Sequence, residues 1–280
     1  MKKNIKRKIL DGILYTVMAA AMACVVAALL FIIIYIFKSQ AGFLNLSFIT
    51  DIEHGILPMI VTTLYVVLVS ILVALPVGIA TAIFLHEYSG NSSLIRILRL
   101  AIETLAGIPS IIYGLFGLLM FCRLIGFGQS IIAGAFTLSI MILPVIIRTT
   151  EESLKSIPVS FREGSLALGA TKLQTIFHVV LPSALPGIVT SVILAIGRVI
   201  GESAPVLLTV GLTKNMPRTI FESGRTLTIH LYYLTSEAVR PEDFGIAFAT
   251  ASVLVILVVV INSATKILTA QFRKKLGGTL

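Results

Sequence analysis

Charge is what this sequence has least of. Only 12% of its 280 residues are Asp, Glu, Lys or Arg, against roughly 25% in ordinary globular domains. Hydrophobic residues make up 57%, and mean hydropathy is +1.02. So few charges cannot cover the surface of a water-soluble fold, and a disordered chain or a disulfide scaffold is excluded by the same figures. Cysteine is scarce as well. Cys24 and Cys122 each sit in or at the end of an apolar run and read as inert thiols. His54, His86, His178 and His230 have no ligand spacing, so no zinc or haem site is expected and the metal set is empty. A Gly-x-x-x-x-Gly-Lys-[Ser/Thr] phosphate loop is missing too, which places no ATP on this chain. A membrane-embedded enzyme is disfavoured, because there is no HExxH, no Ser–His pairing on a plausible helical face and no Asp cluster.

What is present is long apolar runs. Spanning a hydrocarbon core of about 30 Å takes roughly 20 mostly apolar helical residues. Six segments qualify, at about 12–37, 57–85, 104–122, 129–147, 183–210 and 244–267. The expected fold is therefore an all-α integral membrane protein with six transmembrane helices. Its parts are an N-terminal tail (1–11), a transmembrane domain (12–268) and a C-terminal tail (269–280). The first run is too long for the roughly 7–15 apolar residues of a cleaved signal, so it is read as a helix. Gly107, Gly114 and Gly117 on the third run favour close approach of a neighbour. Pro186 is read as starting the fifth, with Pro205 near its end.

The net charge of +9 invites a nucleic-acid reading, but excess cytoplasmic Lys and Arg are what insertion requires. With the N-terminus inside, 15 Lys and Arg fall on cytoplasmic pieces and six on external ones. That bias puts both termini on the cytoplasmic side of a cell membrane, with lipid as one partner and nucleic acid as none. The longest external segment, about 211–243, carries Leu227, Leu231, Leu234 and Ala238 at helical spacing, as for a short helix on the outer leaflet.

The cytoplasmic loop 148–182 is the most informative polar stretch. Ser160 and Glu163 have capping-box spacing, which predicts a helix starting near Phe161 with Glu163 as part of its cap. Gly169 suits a left-handed helix end, and Thr171 with Gln174 repeats the capping-box spacing. Two caps flanking one glycine suggest a short docking helix.

One charged pair falls inside the membrane. Arg198 lies ~18 Å beyond Pro186 at 1.5 Å per residue, near the midplane. A central arginine costs at least ~2.5–3.5 kcal/mol on insertion scales. Glu202, four residues on, shares its helical face and can pair with it. Two readings stand: a structural ion pair, or a guanidinium lining a water-filled path, where its fork suits a tetrahedral oxyanion. Ser203 adds a hydroxyl beside them.

Three stretches carry a family resemblance covering the chain from about residue 57 onward. Glu163-Gly-Ser-Leu-Ala-Leu-Gly169, nine residues, then Val179-Val-Leu181-Pro182 resembles the cytoplasmic signature of ABC-importer permeases: Glu-Ala-Ala, three residues, Gly, nine residues, Ile-x-Leu-Pro. Gly164 and Ser165 stand for the alanines. Gly107-Ile-Pro-Ser-Ile-Ile-Tyr-Gly-Leu-Phe-Gly117 and Gly197-Arg-Val-Ile-Gly-Glu-Ser-Ala-Pro205 resemble the phosphate branch of that family, the A-type permeases of the phosphate-specific transport (Pst) system. The resemblance implies a type I ABC-importer permease fold and a non-catalytic subunit that moves inorganic phosphate inward. It assigns Glu163, Gly164, Ser165, Gly169, Leu181 and Pro182 to coupling with an ATPase. It assigns Arg198, Glu202, Ser203 and, at the end of the fourth helix, Arg148 to the substrate pathway. For Arg148 the alternative is an ordinary cytoplasmic arginine at a helix end. The implied partners are a second permease (PstC-like), two ATPase subunits (PstB-like) that hold the ATP and magnesium, and an external phosphate-binding protein (PstS-like). Sulfate or molybdate transport is the alternative. Glu202, an acceptor, leans toward phosphate, which retains a proton to donate.

Overall fold

The computed structural model describes residues 2–40, 42–88 and 93–275. Every element among them is helical. In order they are α1 (Lys2–Ser39), α2 (Leu46–Thr50), α3 (Leu57–Glu87), α4 (Ser93–Gly107), α5 (Ser110–Gly117), α6 (Ile131–Lys155), α7 (Val159–Ala167), α8 (Lys172–Thr175), α9 (Leu181–Gly201), α10 (Ala204–Thr209), α11 (Leu227–Ser236) and α12 (Pro241–Lys275). A π-helical stretch Leu118–Leu124 extends α5, and another, Ile176–Val180, joins α8 to α9. Both tail segments are helical where described, since α1 begins at Lys2 and α12 runs to Lys275; residues 276–280 of the C-terminal tail lie outside the described residues.

Five helices are long and apolar enough to cross a membrane: Arg7–Ser39, Leu57–Glu87, Ile131–Lys155, Lys172–Gly201 and Asp243–Gln271. The sixth expected span is not one straight helix. Ser93–Gly107 and Ser110–Leu124 meet at a bend of 102°. The cause is Pro109, which lacks an N–H and disfavours helical geometry at Ile108. Its backbone (φ −58°, ψ 139°) caps the start of α5 instead. Tyr113 Oη bridges the bend by donating to Leu105 O at 2.7 Å.

The core is α3, α6 and α9 packed side by side. Val66, Leu138, Met141, Ile142, Ile146, Ile196 and Val199 fill it. Lipid supplies no hydrophobic drive between helices, so buried hydroxyls and small residues hold them together. Ser70 Oγ donates to Ala135 O at 3.2 Å and Ser139 Oγ donates to Ser70 O at 3.1 Å, stitching α3 to α6. Gly114 and Gly117 are where the expected close approach occurs. A Cβ on Gly114 would lie 2.8 Å from Pro205 Cα, and one on Gly117 would lie 2.0 Å from Thr137 Oγ1. Gly107 is different: nothing lies within 4 Å of where its Cβ would be, and it ends α4 at the bend.

Pro186 does not start the fifth span. It lies inside α9, with Pro182 a turn earlier. Together they remove two ladder donors, and the helix answers with the π stretch Ile176–Val180, closed by Leu181 N–H donating to Ile176 O. α11 also departs from the outer-leaflet expectation. Leu227, Ile229 and His230 are buried, Leu227 N–H donates to Thr63 Oγ1 of α3 at 3.0 Å, and the helix packs on α12. Ala238 lies beyond its end.

Candidate functional site

The fifth span breaks where its charges are. α9 stops at Gly201, Glu202 is extended (φ −77°, ψ 134°), and α10 resumes at Ala204 with Pro205 near its start. Arg198 is therefore in the last turn of α9, where a cation suits the negative end of the helix dipole. Glu202 still reaches it, although from outside the helix. Arg198 Nε and Glu202 Oε1 are 3.8 Å apart, with the side chains 36% and 17% accessible. At that distance the two charges attract but do not share a hydrogen bond. The guanidinium makes no hydrogen bond to another described residue. Ser203 follows, half-buried, its hydroxyl making no cap bond.

Two broken elements meet here. The break is packed by Pro205 against Gly114 of α5, itself just past the Pro109 bend. Of the carbonyls that α9 leaves unpaired, Ile200 O accepts from Thr228 Oγ1 of α11 at 2.5 Å and Val199 O accepts from Glu202 N–H at 3.3 Å. Non-helical backbone at membrane depth is tolerated only inside protein or along a water-filled cavity.

Arg148 is elsewhere. It is exposed on α6, which continues past the expected span to Lys155, and no ion pair forms to it among the described residues. The structure does not bring Arg148 to the Arg198–Glu202 pair.

The coupling loop forms a helix as expected but starts it differently. α7 begins at Val159 on Pro158, whose fixed φ (−54°) presets the first turn. Ser160 is consequently inside the helix, and Glu163 is exposed with no capping bond. The other end follows the sequence. Gly169 has φ +86°, its N–H donates to Leu166 O at 2.9 Å, and Ala170 N–H donates to Ser165 O at 3.2 Å, the double bond of a Schellman end. Thr171 and Gln174 form the capping box that starts α8. Ser165 faces inward, its Oγ 2.9 Å from Thr175 Oγ1, whereas a Cβ on Gly164 would meet open space. Leu181 and Pro182 open α9, so the motif's second half is the stem on which α7 sits. Val159, Phe161, Leu166 and Leu168 are all exposed, Leu168 at 90%.

The sequence reading missed the group that ties this loop to the membrane helices. Arg162 of α7 donates from Nε to Glu87 Oε1 (2.9 Å), from Nη1 to Ile157 O (3.0 Å) and from Nη2 to Leu154 O (2.9 Å), and Nη2 also lies 3.1 Å from His86 Nε2. Lys172 Nζ donates to Glu87 O and sits 4.3 Å over the Tyr88 ring. Beside it, Glu151 of α6 holds Arg99 of α4 at 2.7 Å and Lys155 at 3.0 Å. Only a charge so close to the capping residues could have drawn attention to Arg162; its side-chain partners, Glu87 and His86, are 75 and 76 residues away.

Residues 74–275 match the family described as the binding-protein-dependent transport system inner membrane component. The chain belongs to this family. Among its relatives, a probable ABC transporter permease protein of Bacillus subtilis (strain 168), YqgI, is 35% identical over 96% of this chain and 98% of its own length. The phosphate transport system permease protein PstA of Mycobacterium leprae (strain TN) is 37% identical over 76% of this chain and 69% of its own. In three dimensions the permease is similar to a chain of a bacterial alginate ABC transporter solved with a pentasaccharide-bound periplasmic protein (TM-score 0.71, 16% identity, 97% and 98% covered). This likeness shows the type I permease fold alone. The protein is a multi-pass ABC-importer permease subunit.

Proposed function

We propose that this permease subunit carries inorganic phosphate inward, with both its termini in the cytoplasm, and that Arg198 and Glu202 line the path. The observation that carries the reading is an intramembrane arginine at a helix break whose only charged partner among the described residues stands 3.8 Å away. A purely structural pair would be closed up and bidentate, because an intramembrane charge left partly solvated and unbonded gains little stability. An open fork at a broken helix suits a tetrahedral anion, and half-helix ends at mid-membrane are where transporters hold their cargo. Glu202 limits how tightly the anion is retained and accepts from the proton that phosphate keeps. The relatives named as phosphate permeases support the choice of cargo.

ATP and magnesium belong to two partner ATPase subunits; a second permease completes the path and an external binding protein delivers the anion. The exposed apolar residues of α7 and of its end, with Glu163 and Gly164, form the face that an ATPase cleft takes, while Ser165 seats the helix on Thr175 and Gly169 ends it. Closure of the ATPases swings α7, and α9, rooted through Leu181 and Pro182, carries the motion to the break.

The test is uptake and ATP hydrolysis by the assembled complex in proteoliposomes, with phosphate and sulfate compared. Arg198→Gln should assemble yet reduce phosphate uptake at least tenfold, and Arg198→Lys should not restore it, since an ammonium lacks the fork. The double variant Arg198→Gln, Glu202→Gln separates the readings, because it leaves no unpaired charge. It should remain inactive; recovered uptake would reduce the pair to a structural one.

A further inference from the structure

A second polar site lies away from Arg198. Between the 211–226 segment, α11 and the start of α12 is a cavity of about 180 Å³, lined among others by Lys214, Arg225, His230, Tyr233, Glu237 and Asp243. At ~30 Å³ per water this holds about six waters, room for a small tetrahedral oxyanion with part of its hydration.

The charge it presents follows from what each lining group is already doing. Arg225 Nε donates to Leu212 O at 3.1 Å and the guanidinium lies 4.7 Å over the Tyr233 ring. These contacts fix the plane of the fork and leave its terminal N–H groups unbonded to described residues. Lys214 is exposed and likewise makes no hydrogen bond or ion pair with them. Asp243, in contrast, is occupied: its carboxylate accepts from the N–H groups of Val239 and Arg240 at 3.1 and 2.9 Å and from Arg240 Nη2 at 3.4 Å. Glu237 is exposed and is the one uncommitted acid of the lining. Two free cations outweigh it.

His230 forms the buried, uncharged wall of the cavity. It is 8% exposed, and its Nδ1 is shielded from solvent with no hydrogen-bond partner. Buried nitrogens of this kind are rarely left unpaired. Burial, then the charges of Arg225 and Lys214, push its pKa down to about 4, so the ring is neutral near pH 7 and can donate from one nitrogen. The helix carrying His230 also holds the membrane break, through Thr228 Oγ1 on Ile200 O.

We infer that this cavity is a receiving station for an inorganic oxyanion of the phosphate class, gripped by Lys214 and Arg225 above the neutral ring of His230. The inference rests on the reading above that segment 211–243 is external and that the cargo is phosphate. Glu237 gives the station an acceptor that only an anion still carrying a proton can use. From here the anion passes to Arg198 at the break to which α11 is tied.

The experiment is phosphate uptake by the complete complex in proteoliposomes, over a range of inorganic phosphate at saturating binding protein. Lys214→Gln and Arg225→Gln should each raise the half-saturating phosphate concentration about tenfold. Arg218→Gln, an exposed change on the same segment, should leave it where it was. Lys214 is exposed, so its variant keeps the test open even if Arg225→Gln fails to assemble. An unchanged half-saturation in Lys214→Gln, or an equal rise in Arg218→Gln, would overturn the station. Sulfate is run in parallel on the wild type. Should that complex take up sulfate and not phosphate, the cargo reading falls, and the station stands or falls on whether the same variants raise the half-saturating sulfate concentration.

Discussion

Arg162 and Arg198 both face a carboxylate, and they differ in how much of the fork is used. Arg162 spends its nitrogens on four acceptors between 2.9 and 3.1 Å, three of them on α3 or at the end of α6. Arg198 has one charged neighbour at 3.8 Å. The first arrangement ties α7 to α3 and α6, and the second leaves donors open for the cargo proposed above. Hydrogen bonds to charged groups contribute about 1.5–3 kcal/mol each, so the Arg162 knot is worth several ordinary contacts. Its side chain is 16% accessible and Glu87 is 10%, so water can replace little of it. Arg162→Lys should keep the positive charge but lose the fork, loosening α7 from α3. The expected result is ATP hydrolysis within about threefold of the wild type with phosphate uptake per ATP reduced at least fivefold. An unchanged ratio would show that the knot only stabilises the fold. Of these two residues only Arg198 was legible from the sequence, because a charge inside an apolar run stands out by composition. Arg162 lies in a polar loop, where an arginine is unremarkable, and its meaning comes from residues folded against it from far along the chain.

At the scale of elements, caps proved readable where their chemistry is local. Gly169 and the Thr171–Gln174 box depend on residues one to four positions apart, and both formed as their spacing required. Ser160–Glu163 has the same spacing yet caps nothing, because Pro158 starts the helix two residues earlier and moves Ser160 inside it. The two helix breaks were harder to read. An apolar run through Gly107–Pro109 or Gly201–Pro205 scores as one span, since hydropathy does not register a missing N–H. Gly169 offers the sharpest test of the loop. No atom lies within 4 Å of the place where its Cβ would be, so substitution there acts through its positive φ alone. A left-handed non-glycine residue costs about 1–2 kcal/mol, more when β-branched. Gly169→Ala should thus weaken coupling modestly, and Gly169→Val should redirect the chain after α7, abolishing ATPase association or uptake while membrane insertion stays intact. Co-purification of the ATPase with each variant measures this. Wild-type association in both would remove the docking role of α7.

The whole molecule has a core and a satellite. The family match begins at residue 74, and the core of α3, α6 and α9 lies almost wholly within it. α1 stands outside: its apolar window is 0% buried, and it packs along α12, with Tyr35 edge-on to Phe248 at 5.5 Å. A helix apolar on all sides and exposed on all sides needs lipid or another subunit around it. How the assembly faces the membrane is not a property of packing. The orientation proposed above rests on the distribution of Lys and Arg, 15 against six, since the side with more of them resists translocation. The functional proposals depend on that orientation, in which Glu163 and the α7 face lie toward ATP and the Lys214–His230 cavity lies toward the outside. Two exposed positions at opposite ends of the fold decide it, Leu168 at 90% and Val239 at 88%. In a background with Cys24 and Cys122 changed to serine, Val239→Cys should react with a membrane-impermeant maleimide in intact cells. Leu168→Cys, with the permease expressed without ATPase subunits, should react only in inside-out vesicles. Labelling in the reverse pattern would turn the molecule over, and with it the direction of transport proposed above.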